Sequence, residues 1–443
     1  MALKGLDIFK LSPKKNCKEC GSPTCMAFSM KVAQGSVSID KCPYMSEAAK
    51  NLVSEASAPP MASYKLGTGE AERGLGGETV LYRHDKNFVS RTLYGVNMNC
   101  PHCYDSKMPE LEKVDYDRIG ERMHVEVLNL RFGGDEEKFL ALVKKAMGAG
   151  RILVLDVKDA AAAEAALELC AAEKPLLNGA NETNYAEMTA LAKKYDTVLG
   201  VSAKDLDALY DTAAAIEALG WKKLALDVTG GSIKEAFANA VQVRRAALKD
   251  HVRSFGYPSI VDLTKLAPDD TEMQTALASL FTLKYGSVII MDAMSYAQAL
   301  PLFGLRQNIF TDPQKPMRVD PGVYPINGAD ENSVLVTTVD FALTYFIVSG
   351  ELERSGVPCN LLISDAGGYS VLTSWAAGKF SAGTISAFIK EQHIEEKYTS
   401  RTLIIPGKVA VLKGELEEKL PGWKIIVAPN DATGLVRFMK DFQ

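Results

Sequence analysis

Ile152-Leu153-Val154-Leu155-Asp156 is an apolar, strand-like run that stops on an acid, and runs of the same kind return on either side of it. They fall at Val125 to Leu130, Leu176 to Gly179, Val198 to Ser202, Leu224 to Val228, Ser259 to Leu263 and Val288 to Asp292, with a first one inside Thr79 to Met98. Helical patterns fill the intervals, so a run arrives roughly every 20 to 30 residues, the beat of repeated βα units. Eight units in succession predict an α/β chain with a closed (β/α)8 TIM barrel at its centre, over 79–320.

After the barrel, Asp320-Pro321-Gly322 and Pro325 punctuate the chain and the alternation restarts. Strands are predicted at Val334 to Val339, Leu361 to Ser364, Leu403 to Ile405 and Ile425 to Ala428. Helices are predicted at Phe341 to Glu353, Val371 to Ala377, Ser381 to Glu391, Val409 to Glu418 and Thr433 to Lys440. Short parallel strands joined by helices make an open, doubly wound, Rossmann-like sheet over 321–443, and ligands of such sheets sit beyond the strand C-terminal ends. Those ends carry Thr337-Thr338, Ser364-Asp365-Ala366-Gly367-Gly368-Tyr369-Ser370, Pro406-Gly407, and Ala428-Pro429-Asn430-Asp431-Ala432-Thr433-Gly434. Any one such loop is most simply a turn. Several on one sheet edge, small and hydroxylic, suit a bulky ligand with amide and hydroxyl groups, because they allow close backbone approach and offer neutral hydrogen bonds.

Upstream of the barrel, Cys17, Cys20, Cys25 and Cys42 are spaced Cys-x2-Cys-x4-Cys-x16-Cys and followed at once by Pro43. Three thiolates this close in sequence can wrap one face of a 4Fe-4S cubane, and a fourth returning after a short helix completes all-cysteine ligation. Gly21 and Pro23 allow the tight turn, and Ser22 to Gln34 reads as a helix whose Met26, Phe28 and Met30 can shield a cluster from water. Zinc is the structural alternative. Structural zinc sites usually pair two Cys-x2-Cys knuckles, whereas the second pair here is Cys-x4-Cys with a long reach, so the cluster is favoured. The module is expected over 1–57. Ser54 to Ser63, with Pro59-Pro60, reads as a linker continuing to about 78, and Gly74 to Gly77, which lacks the Lys-Ser/Thr of a phosphate loop, as a flexible entry into the barrel.

At 443 residues the chain exceeds one ordinary core and predicts two or three domains. A net charge of -5 with no long Lys/Arg run argues against a nucleic-acid partner. No stretch approaches the roughly 18 apolar residues of a membrane span, and the first residues, with Lys4, Asp7 and Lys10, lack a signal-peptide core. A cytoplasmic protein is expected. Eight cysteines in so long a chain are not a disulfide scaffold, and a solvent-near cluster prefers a reducing, oxygen-poor cell, such as an anaerobe.

A cysteine module, a barrel and a small-residue α/β domain, in that order, resemble the large (gamma) subunit of the corrinoid iron-sulfur protein of the acetyl-CoA (Wood-Ljungdahl) pathway, along the whole chain. The most specific parts are Asn16-Cys17-Lys18-Glu19-Cys20-Gly21-Ser22-Pro23-Thr24-Cys25 with Cys42-Pro43, and Ser364 to Ser370 continued by Val371-Leu372-Thr373. The resemblance implies a methyl carrier. A corrinoid cobalt would take a methyl group from methyltetrahydrofolate through a separate methyltransferase and deliver it to the nickel-iron cluster of acetyl-CoA synthase. It also implies a heterodimer with a small (delta) barrel subunit, the corrinoid lying between that barrel and the C-terminal domain, with its nucleotide-side loop buried in the domain. Carried over residue by residue, the corrinoid contacts are Thr338, Thr344, Gly368, Tyr369, Ser370, Val371, Leu372, Thr373 and Gly434. Cob(I)alamin accepts the methyl cation, and oxidation to cobalt(II) stops the cycle. A 4Fe-4S centre on a flexible linker, fed by a donor such as ferredoxin, is a coherent low-potential repair device. Many cobalamin-dependent methyltransferases bind cobalt through an Asp-x-His-x-x-Gly loop, which this chain lacks. Its one C-terminal histidine, His393, stands among Glu391, Gln392, Glu395 and Glu396, a solvated setting, so base-off cobalt without a ligand from this subunit is expected. Such a chain is a cofactor-bearing carrier and not an autonomous enzyme.

Two readings compete. Polar residues stand at the expected barrel rim, Asp156, Asn178, Asn181, Asn184, Asp227 and Asp292, and the run Leu176 to Asn184 looks like loops of pterin-binding methyltransferase barrels, so a barrel acting directly on methyltetrahydrofolate is the alternative. That reaction needs no cysteine module, and rim carboxylates often cap turns. The second is an iron-sulfur electron-transfer subunit whose other domains dock partners. A radical S-adenosylmethionine barrel would carry Cys-x3-Cys-x2-Cys inside the barrel, which is absent. Asn99-Cys100-Pro101-His102-Cys103 holds a second Cys-x2-Cys. Because it follows a strand at the start of the barrel, and does not open a thioredoxin-like unit, buried reduced thiols are expected, as they are for Cys170 and Cys359.

Overall fold

The structure is a computed structural model that describes residues 5–34, 36–57, 59–311 and 317–442. Residues 1–4 of the expected module, Ala58 of the expected linker and 312–316 near the expected barrel end lie outside the described residues. The chain divides into two compact units, Met1–Val114 with Val125–Arg306, and Asp115–His124 with Gln307–Gln443.

In the first unit, β1 (Leu93–Met98), β2 (Val127–Arg131), β3 (Ile152–Asp156), β4 (Leu176–Ala180), β5 (Val198–Val201), β6 (Leu224–Asp227), β7 (Ser259–Asp262) and β8 (Val288–Met291) form a closed barrel. Parallel pairing of β8 with β1, Val288 opposite Leu93, closes it. Gly95 permits that closure, since a Cβ there would stand 2.8 Å from Ile290 Cδ1 and 3.0 Å from Val127. The helices start where side chains supply the missing acceptors. Asp135, Asp159, Asp205, Ser232 and Asp270 each accept from the backbone N–H three residues on, worth about 1 kcal/mol apiece.

The segment read as linker is in large part docked. Ser63–Leu66 and Arg73–Gly76 form an antiparallel hairpin. Its Leu66 and Leu75 are buried among Val127, Val154, Leu176, Val198 and Ile260. Burying each leucine stabilises by about 1.5–3 kcal/mol. Tyr64 Oη donates to Leu224 O (2.7 Å) and accepts from Leu224 N (3.1 Å), tying the hairpin to β6. Four-residue strands among glycines carry too short a pattern to stand out in sequence.

Among the described residues three α-helices precede the hairpin: α1 (Gly5–Leu11), α2 (Cys25–Ala33) and α3 (Glu47–Ser57). The second begins later than expected because Thr24 caps it, accepting from Ala27 N at 3.1 Å. After β1 comes α4 (Pro101–Glu112). Cys100 and Cys103 are partly exposed there, not buried as expected, because β1 stops at Met98 and Cys100 itself caps the helix. Cys170 and Cys359 are buried.

The second unit holds β9 (Gly322–Ile326), β10 (Val334–Val339), β11 (Cys359–Ser364), β12 (Thr402–Ile405) and β13 (Lys424–Val427), in spatial order β9-β11-β10-β12-β13. All pairs are parallel except β9 with β11. Strand β9 was not expected. It carries Pro325, which an edge strand tolerates because the outward side needs no amide donor. The helices α5 (Ala342–Ser355), α6 (Val371–Ala376), α7 (Ala382–Glu391) and α8 (Leu435–Phe442) belong to cores on both faces of the sheet. Leu335, Leu362, Ile385 and Phe388 pack on one face, and Val336, Leu361, Leu352 and Met439 on the other. The sheet is thus doubly wound, its four parallel strands in the order 2-1-3-4 with a switch point between β10 and β12.

Candidate cofactor sites

Strand β10 pairs with β11 along its whole length, from Val334 opposite Cys359 to Val339 opposite Ser364. With β12 it pairs only at Leu335 and Val336. Beyond that point the two strands part, and a cavity of about 310 Å³ opens at the switch point. Thr337 and Thr338 from β10, Thr344 and Ile347 from α5, Ser370 to Leu372 from the start of α6, and Pro406 beyond β12 contribute to its walls. The loop after β13 closes the far side with Pro429, Asn430 and Asp431. Gly407 allows the two rim loops to meet, because a Cβ there would run into the Ala428 carbonyl.

Thr338 is 1% exposed, yet its Oγ1 has no hydrogen-bond partner among the described residues. An unmade buried hydroxyl bond costs about 1–3 kcal/mol, so a ligand able to bond it would recover that cost. Of the expected contacts, Thr338, Thr344, Ser370, Val371 and Leu372 line the cavity. Gly368 and Tyr369 lie in the loop leading to it, Thr373 pairs its Oγ1 with Ser370 Oγ (3.0 Å), and Gly434 stands at the approach to α8 against Pro429.

Sequence reasoning missed what holds that loop. Asp340, fully buried just after β10, accepts from Ala366 N (3.1 Å) and Gly368 N (2.9 Å) through one oxygen, and from Arg318 Nε (2.7 Å) through the other. Arg318 also donates to Asp365 Oδ1 at 2.6 Å. Gly368 adopts φ +77°, a left-handed turn that brings its amide round to this carboxylate. The only signal was an acid directly after a strand.

His393 is exposed and pairs with Glu396 at 3.1 Å. It follows α7 and precedes β12, hence lies at the end of the sheet away from the cavity. None of the residues lining the cavity is a histidine.

In the module, Cys20 and Cys42 join a small core with Ile8, Phe28, Val32 and Val53. Cys25 is buried and Cys17 exposed. Asn16 clasps Cys25 from both sides, its N donating to the sulfur (3.4 Å) and its Oδ1 accepting from Cys25 N (2.8 Å). Asn16 (φ 47°), Lys18 (φ 65°) and Gly21 (φ 76°) turn the loop left-handed, a strained path for the first two. Tyr44 links the two ends of the motif: it donates to Glu19 (2.9 Å), which raises its pKa, and the Cys17 and Cys42 sulfurs add to the same rise. Amide donation to sulfur and apolar cover fit thiolate ligands of an iron-sulfur cluster. Among the described residues, no three ligating side chains converge on the position of a single ion.

The barrel's C-terminal mouth is already satisfied. Arg131 bridges Asp156 (2.7 Å) and Asp262 (2.6 Å) and donates to Thr264. Lys265 reaches Asp262 (3.2 Å) and Asp227 (3.5 Å), while Gln274 donates to Asp292 (2.6 Å). Burial opposes the charge on Lys265, but Asp227, Asp262 and Asp156 outweigh it and raise its pKa. Asn184 donates to Gly179 O and Asn181 accepts from Thr183, so both build the loop after β4.

A family model described as CO dehydrogenase/acetyl-CoA synthase delta subunit matches residues 63–439, and one for an Fe-S cluster matches residues 13–44. The chain is 40% identical to the corrinoid/iron-sulfur protein large subunit of Moorella thermoacetica, over 99% of both chains. It is 31% identical to the acetyl-CoA decarbonylase/synthase complex subunit gamma of Methanothermobacter thermautotrophicus, again over 99% of both. A dihydropteroate synthase of Thermus thermophilus aligns with 56% of this chain and all of its own at TM-score 0.40 and 16% identity, too loose a likeness to carry an argument. The delta-named family model begins after the cysteine module, whereas the full-length relatives named large or gamma span it.

Proposed function

The chain belongs to the family of corrinoid/iron-sulfur protein large subunits, and from that premise we propose that it carries methyl groups in an acetyl-CoA synthase system, with a corrinoid at the β10/β12 crevice and a 4Fe-4S cluster on Cys17, Cys20, Cys25 and Cys42. When bound, the corrinoid supplies a cobalt that takes up and releases methyl, and the cluster supplies single electrons at low potential to restore that cobalt.

The unpaired Thr338 hydroxyl at the switch-point cavity carries the reading. Thr337, Thr344 and Ser370 add neutral hydrogen-bonding groups, and Val336, Ile347 and Leu372 give apolar wall. These groups would hold a side arm of such a cofactor at the cavity mouth. There Ile347, Tyr369, Leu372 and Trp375 are exposed, an apolar surface that a macrocycle and a partner subunit would cover together. Asp340 orients the loop 366–368 and so holds the mouth in shape. With His393 at the far end of the sheet and no histidine among the described residues lining the cavity, the crevice would offer a bound cobalt no imidazole.

The proposed partners are a small barrel subunit in a heterodimer, a methyltetrahydrofolate methyltransferase, acetyl-CoA synthase and a ferredoxin-type donor, in the cytoplasm. Among the described residues no helix is long and apolar enough to cross a membrane. Direct pterin chemistry in the barrel is not favoured, because Asp156, Asp227 and Asp262 are already engaged by Arg131 and Lys265.

Anaerobic co-expression with the small subunit, followed by iron, sulfide and cobalt assays and EPR, tests the reading. It predicts a 4Fe-4S signal with cobalt(II) lacking nitrogen superhyperfine splitting. In a Cys42→Ala variant, methyl transfer from pre-reduced protein persists while reductive reactivation is lost. A cluster with no cobalt would overturn the corrinoid assignment.

A further inference from the structure

Cys100 and Cys103 serve neither site. Cys100 is the N-cap of the twelve-residue α4, in extended backbone (φ -163°, ψ 163°), and Cys103 lies in the first turn. The Cys100 sulfur accepts from Cys103 N at 3.2 Å and stands 2.6 Å from the Cys103 sulfur. Pro101 sets the first helical φ and offers no amide to compete for that sulfur. Lys107 holds the helix start in place, donating through Nζ to Asn97 O (2.7 Å) and Asp292 O (2.6 Å), at the ends of β1 and β8.

These surroundings separate the two thiols. The Cys103 thiol, the Cys103 amide, the His102 amide and the Lys107 charge all favour a thiolate at Cys100 and draw its pKa below the ordinary value. Sharing its proton with Cys100, and then burial, push Cys103 the other way. Both residues are partly exposed, whereas Cys170 and Cys359, which the same chemistry would not reach, are buried.

We propose that Cys100-Pro101-His102-Cys103 is a thiol–disulfide exchange centre on the C-terminal rim of the barrel, taking disulfides as substrate, with Cys100 the attacking sulfur and Cys103 the resolving one. The Cys100 thiolate attacks a disulfide R–S–S–R, forms the mixed disulfide Cys100–S–S–R and expels RS⁻. Cys103, once deprotonated, attacks Cys100 Sγ, expels the second RS⁻ and closes the Cys100–Cys103 disulfide. Two electrons pass from the cysteine pair to the substrate, and the two thiol protons end on the two released thiols. A dithiol runs the sequence backwards. Because Lys107 anchors α4 to the ends of two barrel strands independently of the sulfurs, the two redox forms share one scaffold.

Trypsin gives a direct readout, since cleavage after Arg91 and Lys107 releases both cysteines on one peptide, 92–107, free of the other six. Full-length protein equilibrated anaerobically in buffers of rising oxidised-to-reduced glutathione is alkylated, digested and mapped by mass spectrometry. The expected result is conversion of this peptide from the doubly alkylated form to one lighter than the dithiol by two hydrogens, reversed by dithiothreitol. Cys103→Ser should trap one glutathione on Cys100, and Cys100→Ser should react with oxidised glutathione on the order of tenfold more slowly. Full alkylation at every ratio, or glutathione trapped on both cysteines without the internal disulfide, overturns the proposal. The wild-type peptide decides the matter even if a variant misfolds.

Discussion

Two rims of this chain lie where parallel strands end, the barrel mouth in one unit and the β10/β12 crevice in the other, and they differ in whether their polar groups are already spoken for. At the barrel mouth, Arg131 and Lys265 engage Asp156, Asp227 and Asp262. At the crevice, Thr338 is buried with its hydroxyl unbonded, beside apolar wall and small loops. Topology marks both rims as places for ligands. Satisfaction decides between them, because a ligand entering the barrel must first break ion pairs, whereas one entering the crevice completes a hydrogen bond.

The strongest blow to the crevice should come from Asp340→Ala, which strips the acceptor from Ala366 N, Gly368 N and Arg318. Loss of about 3–5 kcal/mol in urea unfolding is expected, together with loss of bound cobalt. Arg131→Met should cost the barrel about 3 kcal/mol, leaving Asp156 without its cation and Asp262 with Lys265 alone, and adding Asp156→Asn should recover part of it. Cobalt content should not change in either barrel variant; if it falls, the barrel mouth is no longer merely structural.

Thr338→Val sharpens the contrast further. Corrinoid-free protein should melt at the same temperature or slightly higher, because a buried unmade hydroxyl is gone, while corrinoid affinity drops roughly fivefold to thirtyfold, the worth of one hydrogen bond. Lys265→Gln should show the smallest effect, at most about 1 kcal/mol, since its side chain is half exposed. Its pKa is raised above 10.5, so its stabilising contribution is complete at neutral pH and fades only as pH climbs through the raised value. Thermal melts of wild type and Lys265→Gln should therefore converge in strong alkali and stay apart at pH 7.

Sequence patterns reach the parts of this molecule whose causes are local. Apolar runs locate β3 and β10 to the residue, and the small hydroxylic loops mark the sheet edge where the crevice opens. The remainder depends on partners far along the chain. Arg131 meets Asp262 across 131 residues, and Arg318 meets Asp365 across 47, pairings that leave no periodicity. Strand β9 hides behind Pro325, and the hairpin 63–76 behind its glycines. The exposure of the Cys100 pair is not legible in sequence, because it turns on where β1 ends.

Hydrogen exchange of the full chain with its small subunit, measured by mass spectrometry with and without added cobalamin, tests the central claim most directly. Protection is predicted at 337–340, 366–373, 405–408 and 428–434, with exchange in the barrel loops 131–135, 178–184 and 227–232 unchanged. Protection of the barrel loops, with the crevice loops unaffected, would contradict it.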